Sequence, residues 1–175
     1  MQIAVLSDIH DNIWNLEKVI NQIKNHVGAV IFCGDFCAPF VASYFANLGT
    51  SVYASLGNND QDQLGILKWG GKTFHLTALW EEYGKAKFDG KKIAFCHYPK
   101  LGELLAKTGE FDAVFYGHTH QTKNEKYTKT LLLNPGAVCG INPRAILGIG
   151  NEKPGIPSYG LYDTKTNSAK IIQIK

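Results

Sequence analysis

Five short apolar runs in this chain each end in residues that bind metal ions, and that pairing restricts the fold more than any other feature. The runs at 3–6, 29–33, 51–56, 92–96 and 113–116 have the length of strands, and their near-continuous apolarity fits strands buried on both faces. Behind them stand Asp8 and His10, then Asp35, Asn58, His97, and finally His118 and His120. In layered α/β folds ligands gather outside the carboxyl ends of strands, so these five loops are expected to converge. Asp8 and His10, like His118 and His120, are two residues apart, a spacing that puts both side chains on one face of an extended segment. Four imidazoles, two carboxylates and one amide carbonyl make a mixed nitrogen and oxygen set. Such a set suits divalent transition metals better than calcium or magnesium alone. A single histidine at a strand end is ordinarily a surface residue, and a lone Gly-Asp is ordinarily a turn. Four of the six histidines in matching positions are a different matter, with only His26 and His75 outside the pattern.

Between the runs the periodicity changes. Ile13, Leu16, Ile20, Ile23 and Val27 fall three and four apart, a helical stripe for which Asn12 supplies an N-cap. Pro39 opens a helix expected to reach about residue 47, and a second helix is expected over 101–107 with Gly109 as its stop. Short strands are expected at 73–76 and 82–88, with Asp89-Gly90 turning the chain into the run at 92–96. Residues 131–133 form another strand ending at Asn134-Pro135-Gly136, and 159–163 with 169–174 form a closing hairpin. The Gly- and Pro-rich stretch 142–157 reads as a long surface loop.

Composition narrows the function classes. At roughly 150 residues per domain, 175 residues predict one domain spanning 1–175. The net charge of +3 comes from scattered lysines and arginines without a basic block, which argues against a long nucleic-acid partner. No apolar run approaches the roughly 18 residues of a membrane span. The N-terminus lacks the basic start and small-residue cleavage site of a signal peptide and reads as a strand. Cys33, Cys37, Cys96 and Cys139 show no CxxC pair and are expected to be buried free thiols, which implies a cytoplasmic protein.

The ordered set Asp8-Ile9-His10, Gly34-Asp35, Gly57-Asn58-Asn59-Asp60, His97 and Gly117-His118-Thr119-His120 resembles the calcineurin-like metallophosphoesterases, and within them the small bacterial and archaeal phosphodiesterase branch. The resemblance runs from Ser7 through Asn134-Pro135-Gly136. It implies an α/β fold, a four-layer α/β/β/α sandwich of two packed mixed sheets flanked by helices. It implies that Asp8, His10, Asp35 and His120 hold one divalent ion, that Asp35, Asn58, His97 and His118 hold a second, and that Asp35 bridges the two. Manganese is the ion expected first, with nickel, iron, zinc or magnesium as alternatives. A shared carboxylate suits cations about 3.5 to 4 Å apart, and a hydroxide bridging them would attack phosphorus in line. With the carboxylates and that hydroxide counted, the site keeps about one positive charge, which favours a small phosphoester anion.

Some positions depart from the pattern. Asn59 stands where many relatives have a histidine that protonates the leaving group, and an amide can only hydrogen-bond there. Asp60 either orients its neighbour or is a solvated turn residue, and His10 is the next group in line to supply a proton. Asn59, Asp60 and His10 are therefore the candidate catalytic residues. Asp11 occupies a position where relatives often have glycine. Tyr98 and Pro99 replace a common glycine turn after His97, leaving Tyr98 either to stack on a substrate or to pack. The leading expectation is hydrolysis of phosphodiesters. A phosphomonoesterase with the same site is one alternative, a non-catalytic protein-binding scaffold like the retromer subunit of this fold is another, and self-association is left open.

Overall fold

The computed structural model describes residues 1–77, 81–149 and 153–175. Its strands are β1 (Gln2–Leu6), β2 (Ala29–Cys33), β3 (Ser51–Ser55), β4 (Phe74–Leu76), β5 (Gly84–Phe88), β6 (Lys91–Phe95), β7 (Ala113–Phe115), β8 (Thr122–Tyr127), β9 (Thr130–Pro135), β10 (Ser158–Asp163) and β11 (Ser168–Gln173). The helices are α1 (Ile13–Ile23), α2 (Ser43–Ala46), α3 (Gln63–Gly70), α4 (Pro99–Thr108) and α5 (Pro143–Ile146), with a 3-10 turn at Pro39–Ala42 leading into α2. One sheet has the order β11-β10-β1-β2-β3-β4 and the other β5-β6-β7-β9-β8. Both are mixed: β1 to β4 run parallel beside the antiparallel β10, and β6, β7 and β9 run parallel between antiparallel edges.

Strand alternation sorts the apolar residues into three cores, which makes four layers. Ile3, Val5, Ala29, Ile31 and Cys33 point between the sheets, where they meet Ile93, Phe95, Ala113, Phe115, Leu131 and Leu133. Their neighbours Ala4, Leu6, Val30 and Phe32 face the other way onto Leu16 and Val19 of α1, Phe45 of α2 and Ile66 of α3. Ala94, Val114 and Leu132 do the same for the second sheet, packing on Leu105 and Ala106 of α4. Each large apolar side chain buried this way contributes about 1.5 to 3 kcal/mol, so the sandwich is held from both of its faces. Among the described residues no helix is long and apolar enough to cross a membrane.

Several expectations needed correction. The stripe on α1 ends at Ile23, so Val27 packs against the core from outside the helix. The helix begun by Pro39 splits into the 3-10 turn and α2. Strand β8, TKNEKY, carries no apolar run; it is an edge strand held by β9, and α3 was not foreseen either. The stretch 142–157 contains α5, capped by Asn142, while residues 150–152 lie outside the description. Cys37 is only half-buried, whereas the other three thiols are buried, and all four are free.

Candidate metal centre

The loops after β1, β2, β3, β6 and β7 meet at one end of the sandwich, bringing together all seven residues expected as ligands. His10 Nε2 lies 3.8 Å from Asp8 Oδ1, 3.5 Å from Asp35 Oδ2 and 3.1 Å from His120 Nε2. On the other side of Asp35, His97 Nε2 lies 3.4 Å from the same Oδ2. His97 Nε2 is also 3.0 Å from Asn58 Oδ1 and 3.2 Å from His118 Nδ1. One carboxylate oxygen thus stands between two groups of nitrogen and oxygen donors. Asp8, Asp35 and His97 are buried, His10 and His120 are half-buried, and Asn58 and His118 are exposed.

Backbone conformation produces the convergence. Asp8, His10, Asp35, His118 and His120 all have positive φ, between 45° and 70°. The two i, i+2 pairs are therefore not extended, and left-handed kinks aim their side chains at a common point. Such conformations are unfavourable for residues with a Cβ and cluster at functional sites. Asp11, at φ 58°, shares the strain that a glycine would avoid, and its carboxylate accepts the Ala38 N–H at 2.8 Å.

Outer contacts fix the donor orientations. His97 Nδ1 lies 2.7 Å from the Cys33 carbonyl and His120 Nδ1 2.5 Å from the Ile141 carbonyl, so that in the neutral ring each Nε2 lone pair faces inward. His10 Nδ1 contacts Cys37 Sγ at 3.4 Å, on the side of the ring away from Asp8 and Asp35. Asp8 Oδ2 accepts from Ser7 Oγ at 2.6 Å and from the His118 N–H at 3.0 Å. Its Oδ1 is buried without a hydrogen-bond partner among the described residues, although two imidazole nitrogens flank it. A buried carboxylate oxygen left unpaired is costly, and a cation at that point removes the cost. The donor set fits divalent ions.

Asn59 and Asp60 take up positions the sequence did not disclose. The Asn59 side-chain N–H donates to Asp35 Oδ2 at 2.8 Å, and its backbone N–H donates to Oδ1 at 2.9 Å. Asp60 is buried, not a solvated turn residue. Its carboxylate accepts the backbone N–H groups of Asp35, Cys37 and Gly57 at 2.9, 2.9 and 2.8 Å. It clamps two loops together from behind the cleft. Asn134 does similar work, donating to the Gly117 carbonyl at 2.9 Å and to Thr119 Oγ1 at 3.0 Å. Ser7 and Asn134 were missed in the sequence, where only their place beside Asp8 and at the end of β9 marked them.

Electrostatics follow from burial and pairing. Burial would raise the Asp8 carboxyl, but the imidazoles of His10, His120 and His97 hold it well below the usual carboxylate range. Asp35 is likewise lowered, with His97 and Asn59 outweighing burial. Burial works against a charged His120, yet Asp8, Cys139 and the Ile141 carbonyl raise it to about 10. His97 is raised for the same reason by Asp35 and Asp8, while burial and the neighbouring His97 lower His118. A cleft of about 540 Å³ opens over the cluster, lined by His10, Asn58, Asn59, His118, Gln121 and Arg144 among others.

Close packing at Gly117 gives a first test. A Cβ there would collide with Ser7 Oγ and stand 2.8 Å from Asp8 Oδ2. Gly117→Ala is expected to destabilise the fold by about 1 to 3 kcal/mol and to lower metal content, read from thermal melting and elemental analysis. An unchanged melting temperature would show that the Asp8 loop yields freely.

A two-sheet sandwich with imidazoles and carboxylates gathered at its strand ends is the architecture of metal-dependent phosphoesterases, a class of hydrolases. The chain belongs to the calcineurin-like phosphoesterase superfamily, whose domain profile matches residues 1–166. It is similar to a phosphodiesterase of Methanocaldococcus jannaschii, 32% identical over 178 residues that cover 100% of both chains. A solved archaeal phosphodiesterase superimposes with a TM-score of 0.82 at 30% identity over 99% of each chain. Vps29 of Chaetomium thermophilum has a TM-score of 0.72 at 13% identity, covering 99% of this chain and 97% of that one, a likeness of fold alone.

Proposed function

We propose that this chain is a phosphodiesterase using two divalent ions, the first held by Asp8, His10, Asp35 and His120 and the second by Asp35, Asn58, His97 and His118. The observation that carries the reading is Asp35 Oδ2, which lies within 3.5 Å of a ligand nitrogen on each side. Ions bound there supply an activated water and the positive charge that a phosphoryl group needs. The protein's own part is positional. Asp60 and Asn134 hold the loops, the Cys33 and Ile141 carbonyls set the imidazole tautomers, and Asn59 steadies Asp35. The diester preference is supported by the phosphodiesterases to which the chain is similar. We read 1–175 as one cytoplasmic domain and manganese as the ion to load first. Hydrolysis of bis(p-nitrophenyl) phosphate against p-nitrophenyl phosphate, with manganese added to chelator-stripped protein, tests it. Absence of diester turnover with any transition metal would sink the reading.

Proton competition gives a second measurement. In the metal-free protein His97 and His120 are raised, so each stays protonated to higher pH than the usual value of about 6.5. A metal must displace those protons, so apparent affinity is expected to rise with pH up to and beyond neutrality. Calorimetry at pH 7 in two buffers of different ionisation enthalpy should show proton release on metal binding. Equal heats in both buffers would contradict it.

A further inference from the structure

Tyr98 follows His97 directly and is 47% exposed. Its ring packs against both imidazoles on that side of the centre, with centroids 5.2 Å from His97 at 75° and 5.2 Å from His118 at 58°. The backbone beneath it is fixed. Tyr98 caps α4 with φ −84° and ψ 135°, and Pro99 occupies the first turn. The Tyr98 carbonyl accepts the Gly102 N–H at 3.1 Å and the Cys96 thiol at 3.5 Å. The ring lies against the cluster while about half of the residue stays in water beside His118, which lines the cleft. An aromatic ring half open to solvent next to the proposed phosphate-binding centre is a surface for another ring.

We propose that Tyr98 is a specificity-determining residue whose exposed ring stacks on a planar group of the substrate, so that diesters bearing a nucleobase on one arm are preferred. This rests on the phosphodiesterase reading. Aromatic side chains bind bases of any identity through their π-faces, and in a nucleoside diester a sugar separates the base from phosphorus.

The test compares p-nitrophenyl thymidine 5′-phosphate with p-nitrophenyl ethyl phosphate, which share a leaving group and differ in the other arm. Wild type is expected to favour the thymidyl ester by about tenfold in kcat/KM, the scale of one stacked base. Tyr98→Phe should keep that ratio, and Tyr98→Leu and Tyr98→Ala should bring it near one. Binding of thymidine 5′-monophosphate against ethyl phosphate, measured by calorimetry on metal-loaded protein, reads the same ratio without turnover. A wild-type ratio near one, or one retained by Tyr98→Ala, overturns the proposal. Equal loss on both esters with a fall in bound metal also overturns it, assigning Tyr98 to packing on His118. Cleavage of neither ester would remove the phosphodiesterase reading, and the binding ratio would then decide the stacking site by itself.

Discussion

Asp35→Asn is expected to lower turnover by more than about 100-fold, beyond the loss from removing an outer partner of a metal ligand. The carboxylate is buried, and its Oδ2 faces His10 Nε2 at 3.5 Å and His97 Nε2 at 3.4 Å, so both proposed ions depend on it. An amide there is neutral and brings an N–H toward the two imidazoles and the Asn59 N–H, which needs an acceptor. Both ions should weaken together, and elemental analysis should find well under one per chain. Asn58→Ala provides the contrast. Asn58 Oδ1 contacts His97 and His118, on one side of Asp35, so its loss should weaken one ion and spare the other. Full turnover and two bound ions in Asp35→Asn would show that Asp35 is not shared.

The sheets were legible because alternation and burial coincide in them. Ile3, Val5, Ala4 and Leu6 are all apolar, which identifies a strand covered on both faces, and α1 and the Asp89-Gly90 turn carry local signals as clear. Strand β8 was not legible. Its residues are mostly exposed, and its strand conformation comes from pairing with β9, a tertiary effect. The cluster was legible as a list of residues and their order. Its geometry was not, since no spacing rule announces that Asp8, His10, His118 and His120 adopt left-handed conformations. The same is true of Asp60. A Gly-Asn-Asn-Asp string gives no sign that its last carboxylate faces backwards to gather three amides from two loops.

That placement of Asp60 decides the other large effect. Wild type is expected to cleave nitrophenyl diesters far faster than alkyl diesters, because position 59, beside the proposed centre, carries an amide and not an acid that could protonate the leaving oxygen. Asn59 carries no titratable proton, and its side-chain N–H is committed to Asp35. His10 Nε2 is turned to Asp8 and Asp35, as the proposed metal ligand requires. General acid catalysis contributes about 10²- to 10⁴-fold, so alkyl esters should lag by that factor beyond their intrinsic reactivity. Asn59→Ala removes a hydrogen bond to a carboxylate, worth about 1.5 to 3 kcal/mol, and should slow all esters alike while weakening metal binding less than Asp35→Asn does. Asn59→His introduces a proton donor, but Asp60 is occupied by backbone amides and cannot turn to hold the new ring. The steep dependence on leaving-group pKa should therefore persist in Asn59→His. The measurement is a leaving-group series on wild type and both variants under conditions where chemistry limits the rate. A flat wild-type series would show that a donor is present, and a series flattened by Asn59→His would show that the ring at 59 needs no carboxylate to orient it.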